Sequence, residues 1–146
     1  MADEIYKGLM ERFARGGGRY PGLDIPEFYD LARELYNPEE AALAAAMPKG
    51  FVTAEQLAET LQRDADELRA ALLAMAAKGL CMAVDLGGTK SFSLPPLVPG
   101  IFEYQFLRGT KTEKDRRIAR VIRAYRQAVN AAQGIPKVTF PATRVI

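Results

Sequence analysis

The chain has 146 residues, 49% hydrophobic and 26% charged, which fits one compact domain, or one with a tail, and excludes a largely disordered chain or a disulfide scaffold. It contains no histidine and a single cysteine, Cys81, so Ser-His-Asp and Cys-His triads, histidine-ligated zinc and a cysteine-ligated iron–sulfur cluster are all excluded. Net charge is +2 but uneven: residues 1–47 carry −4, residues 48–100 carry −1 and residues 101–146 carry +7.

A lone cysteine cannot close an internal disulfide, which points to a reducing, cytoplasmic setting. The start, Met1-Ala2-Asp3-Glu4, is acidic and lacks the basic-then-apolar pattern of a signal peptide. The best apolar stretch, Ala70 to Val84, is interrupted by Lys78 and Gly79 and is too short to span a bilayer, so no membrane insertion is expected.

Ile5, Leu9, Met10 and Phe13 recur at helical spacing and predict a helix over 3–15. Gly16-Gly17-Gly18 ends it. These glycines follow a helix, with neither a Walker A lysine nor a GxGxxG pattern, so they read as a linker and not a phosphate cradle. Phe28, Leu31, Leu35 and Tyr36 mark a second short helix. Asn37 as cap, Pro38 at the first turn and Glu40 three residues past the cap then open a helix over 38–46. Thr53 and Gln56 form a second capping box, with Val52 and Leu57 as its hydrophobic staple, and start a helix over 54–61. Asp64 and Glu67 repeat the pattern for a helix over 65–78, which Lys78-Gly79 stops.

After Gly79 the period changes. Leu80–Val84 and Lys90–Leu94 read as two strands around a turn containing Gly87-Gly88. Three helices, the last two joined by a three-residue turn, followed by a hairpin, make a winged helix-turn-helix. The fold class is therefore mainly α with a small β-hairpin, extended by N- and C-terminal helices. Residues 1–36 form an N-terminal helical extension, 37–96 the winged helix and 97–134 the C-terminal helices. Within the last, Ile101–Leu107 forms a short helix, and Thr112 with Asp115 caps a long one reaching about Gln133. Its apolar stripe is Ile118, Val121, Ile122, Tyr125 and Val129. Residues 135–146 read as extended.

A helix-turn-helix invites DNA binding, but the second helix is ill-suited to it. Leu68, Leu72 and Met75 point inward, so the outward face carries Ala70, Leu73, Ala74 and Ala77, with Asp66 and Glu67 at the end that would enter a groove. This small, uncharged face suits protein docking, or cover by the chain's own segments 3–36 or 101–133. The other candidate surface is the long helix, where Arg116, Arg120 and Arg123 line one side, flanked by Arg117 and Arg126. That side offers itself to an anion or an acidic partner, or is simply solvated. The paired carboxylates sit at helix starts, where the dipole accounts for them, and Cys81 reads as a small core residue, so no catalytic or metal-binding residue is assigned.

The run Asn37-Pro38-Glu39-Glu40 to Met47-Pro48, the segment Ala77-Lys78-Gly79-Leu80, and Leu97-Val98-Pro99-Gly100-Ile101-Phe102-Glu103-Tyr104-Gln105 follow one order. It resembles the N-terminal region of bacterial 4Fe-4S ferredoxin-type proteins, in which a winged helix precedes a cysteine-rich domain. The resemblance implies that Thr143-Arg144-Val145-Ile146 is a linker toward a cysteine-rich domain absent here, and that the 4Fe-4S clusters belong to that domain. This chain itself would hold no cofactor. Its expected role is then a non-catalytic interaction module, with a protein partner or its own iron–sulfur domain on the docking face. The alternative is a DNA-binding regulator of the MarR or ArsR sort, homodimeric through helices 3–15 and 112–133.

Overall fold

The computed structural model describes residues 2–107 and 112–132. The expected extension over 135–146 lies outside the described residues. Helix α1 (Ala2–Arg15) packs on α3 (Pro38–Ala46), while α2 (Pro26–Leu35) packs on the long C-terminal helix α7 (Glu113–Ala132). Between them lies the winged helix-turn-helix: α3, strand β1 (Val52–Thr53), α4 (Ala54–Leu61), α5 (Ala65–Ala77), and the hairpin β2 (Met82–Leu86) and β3 (Thr89–Ser93). Helix α6 (Phe102–Leu107) follows an irregular turn over Leu97–Ile101. The architecture is mainly helical with one small antiparallel sheet of order β1-β3-β2.

Local chemistry sets most helix starts. The Glu40 amide donates to Asn37 Oδ1 (2.8 Å) while the Asn37 amide donates to Glu40 Oε1 (2.9 Å), a reciprocal box around Pro38. Thr53 and Gln56 make the same exchange, at 3.1 and 2.9 Å. Val52 and Leu57, the staple around that cap, are both buried. At α5 only half of the pattern forms. Asp64 accepts from the Glu67 amide (2.9 Å), and the Glu67 carboxylate turns to Arg63 instead. Each cap contributes about 1 kcal/mol.

The strands sit later than the apolar run suggests. Gly79, at φ +79°, donates to Ala76 O, and Leu80 donates to Met75 O. That pair of bonds is a Schellman closure of α5, so Leu80 belongs to the helix end and β2 begins at Met82. Gly87 and Gly88 both take positive φ, as a two-residue hairpin turn requires, which carries β2 to Leu86 and starts β3 at Thr89. Strand β1 was not expected. It pairs Val52 with Phe92 and Thr53 with Ser91, and so adds a third strand to the wing.

One core joins all of these elements. Leu68, Leu72 and Met75 of α5 join Leu9 and Phe13 of α1, Leu43 of α3, Met47 just after it, and Phe92 of β3 in a single buried cluster. On α7, Ile118, Ile122, Tyr125 and Val129 are buried and Val121 is half-buried. Two tyrosines bolt loops to this core. Tyr36 donates to Leu80 O (3.0 Å), and Tyr125 donates to Pro21 O while accepting from the Leu23 amide (3.0 Å). No helix among the described residues is long and apolar enough to cross a membrane.

Candidate functional site

Helix α5 presents its outward face as the 3.6-residue period demands. Ala70, Leu73, Ala74 and Ala77 are all exposed, Leu73 to 40%, so the described parts of 3–36 and 101–133 leave this face open. Helix α6 reaches only its C-terminal end. There the Gln105 side-chain amide donates to Lys78 O (3.2 Å) and Gly79 O (3.4 Å), and Tyr104 packs over Gly79.

The charge around that face is compensated. Arg69 pairs with Asp66 (2.7 Å) and with Glu55. Arg63, in the turn between α4 and α5, pairs with Glu67 (2.7 Å) and Glu39 (3.1 Å). Lys78 meets the largely buried Glu40, and Lys90 in the wing meets Asp85 (3.4 Å). Every lysine and arginine between Ala54 and Leu94 is therefore held by at least one carboxylate. The Asp66 hydrogen bond and then the Glu55 charge hold the Arg69 guanidinium above its usual pKa; Glu67 and Glu39 do the same for Arg63. A phosphate approaching this surface competes with carboxylates already in place.

The basic side of α7 divides. Arg116, Arg120 and Arg123 are all exposed, but Glu113 pairs with Arg116 (3.1 Å) and lies 3.9 Å from Arg120. Glu34 of α2 takes Lys114 (3.2 Å) and Arg117 (3.4 Å). Arg123 has no ion pair with any carboxylate among the described residues, and it borders a cleft against α6 together with Arg126 and Phe106. Sequence reasoning placed Arg126 only as a flank and missed Phe106. The available signal was the spacing Arg123, Arg126, Asn130, which aligns three polar side chains along one side of the helix.

Cys81 is buried, donates weakly to Leu72 O (3.5 Å), and has its thiol pushed up to about 12 by burial. One protonated thiol does not make the four-thiolate set that an iron–sulfur cluster needs, so no residue of this chain is assigned to such a cluster. No group of three or more His, Cys, Asp or Glu able to hold a metal ion occurs among the described residues.

Element order and the open α5 face define a winged helix-turn-helix protein whose second helix is neutral on its outer side. Neither a family model, nor a curated protein, nor a solved structure matches the chain.

Proposed function

We propose that this chain is a non-catalytic protein-interaction module that docks a protein partner on the α5 face formed by Ala70, Leu73, Ala74 and Ala77. The observation that carries this reading is the pairing of every cation between Ala54 and Leu94 with a carboxylate, beside an exposed face of small apolar side chains. Duplex binding draws its affinity from unpaired lysines and arginines that displace counterions, and this surface offers none of them free. Small side chains instead let a partner's backbone approach closely, and Leu73 supplies apolar area at the centre. The sequence resemblance to ferredoxin-type proteins supports a cytoplasmic electron-transfer setting, with a cysteine-rich 4Fe-4S domain as the partner in the same polypeptide.

Two measurements test the two halves. Fluorescence anisotropy with a labelled duplex at about 50 mM salt is expected to show no binding, whereas a salt-sensitive isotherm overturns the protein-docking reading in favour of a DNA-binding regulator. The reading frame beyond Ile146 is expected to encode a cysteine-rich domain. When expressed separately and loaded with its cluster, that domain should co-elute with this chain and fail to do so with Leu73→Asp. A reading frame without cysteine clusters removes the electron-transfer setting alone.

A further inference from the structure

The cleft between α6 and α7, of about 300 Å³, has two unlike walls. Phe106, Ala119 and Ile122 make the apolar wall; Arg123, Arg126 and Asn130 make the polar one. Phe106 is 56% exposed, an aromatic ring left in water beside two guanidinium groups. A second recess of about 220 Å³ shares Phe106 and Arg126 and adds Arg19, Tyr20 and Glu103.

The cations there are positioned by the fold. The Arg19 amide donates to Val98 O (2.9 Å), which fixes the 19–20 segment against the turn before α6. Tyr20 is buried, tilted against Phe102 with ring centroids 6.5 Å apart. The Arg126 and Arg19 guanidinium carbons lie 5.6 and 5.9 Å from the Tyr20 ring centroid, within cation–π range. Burial would raise the Tyr20 hydroxyl pKa, yet hydrogen bonding from Arg126 and Asn130 and the charges of Arg126 and Arg19 bring it below the usual value. The local field is positive.

Among the described residues lining the two recesses, one carboxylate stands against three arginines. Glu103, the one carboxylate bordering the recess, is exposed and accepts from the Gly100 amide (2.7 Å). By sequence, the segments 108–111 and 133–146 contain Arg108, Lys111, Lys137 and Arg144 and no acidic residue. Three arginines against one carboxylate therefore leave a net positive charge beside Phe106, which suits an anion from outside the chain.

We propose that this cleft binds a small organic anion, a carboxylate on a flat apolar body, with the carboxylate between Arg123 and Arg126 and the body against Phe106. The volume is at the lower end for ligand pockets, which matches a one- or two-ring molecule. Bare phosphate leaves Phe106 uncovered, and a neutral ring leaves the arginines uncompensated. The site is separate from the α5 face, so the docking reading stands or falls independently.

The test uses the whole chain, isotopically labelled, titrated with 2-naphthoate while amide and arginine Nε–H signals are followed by NMR. Saturable shifts are expected at Phe106, Arg123 and Arg126. The neutral analogue 2-naphthalenemethanol and inorganic phosphate should each bind at least about tenfold more weakly. Arg123→Gln, an exposed position whose loss leaves the core intact, should weaken naphthoate about tenfold, the usual scale for one charge-assisted hydrogen bond. Absence of saturable shifts at millimolar naphthoate overturns the proposal. Equal binding of the neutral analogue does so too, as does unchanged affinity in Arg123→Gln.

Discussion

The docking of α6 onto the end of α5 rests on one glycine, which makes it measurable. At Gly79 (φ +79°) an added Cβ would lie 2.7 Å from Tyr104 Cδ1, 3.0 Å from its Cγ and 3.1 Å from Gln105 Nε2. Spinning the tyrosine ring does not move Cγ, so relief requires swinging Tyr104 about χ1 or lifting α6. Either motion disturbs Gln105, which is buried and donates to Lys78 O and Gly79 O. For Gly79→Ala the left-handed backbone costs about 1–2 kcal/mol, and loosening the Gln105 bonds adds about 1 kcal/mol or more. The sum is about 2–4 kcal/mol. Gly87→Ala is the control, because Gly87 also has positive φ (+60°) but no atom within 4 Å of an added Cβ; it should cost only the backbone share. In urea melts the Gly79→Ala midpoint should fall about 1–2 M at unchanged slope, well beyond Gly87→Ala. Truncation by Tyr104→Ala should recover part of the loss in the double variant. Equal midpoints for the two alanine variants would refute the α5–α6 contact.

Three further outcomes are expected. Leu73→Asp and Ala74→Arg, on an exposed face, should leave thermal stability within about 0.5 kcal/mol of the parent, and a larger drop shows that the face is covered. Tyr36→Phe removes a buried hydroxyl and orphans Leu80 O, which should lower Tm by about 3–10 °C in calorimetry; an unchanged Tm contradicts that bond. Burial raises the folded Cys81 thiol from 9.0 to about 12, so its contribution to stability is full below pH 9 and lost as pH climbs toward 12, where the unfolded thiol ionises first. Urea midpoints between pH 8 and 11 should therefore fall less steeply for Cys81→Ala, and parallel curves refute the assignment.

Helix starts were legible because their determinants lie within four residues. Asn37 with Glu40 and Thr53 with Gln56 fold the same way wherever the rest of the chain goes. Strand limits were less so. Leu80 and Cys81 read as strand by composition, but the Schellman closure at Gly79 claims Leu80 first, and the tight Gly87-Gly88 turn moves the other end. Strand β1 was invisible because two residues carry no period. Val52 and Thr53 are strand only through Phe92 and Ser91, about forty positions away.

The site divides along the same line. Which residues face outward on α5 follows from a period of 3.6, so Ala70, Leu73, Ala74 and Ala77 could be named from the chain alone. What their neighbourhood's charge does could not. Arg69 finds its partner Glu55 on α4, and Arg63 reaches back to Glu39 at the start of α3. Ion pairs this exposed contribute little to stability. Their consequence is for recognition, since a charge already matched gives an incoming phosphate no counterion to release. On α7 the same logic runs in reverse. Glu34 and Glu113 are each shared between two cations, Lys114 and Arg117 for the first and Arg116 and Arg120 for the second, and among the described residues no carboxylate forms an ion pair with Arg123 or Arg126. Among the described residues of α7, it is the cations without an ion pair, and not the total count of basic residues, on which the proposed anion site rests.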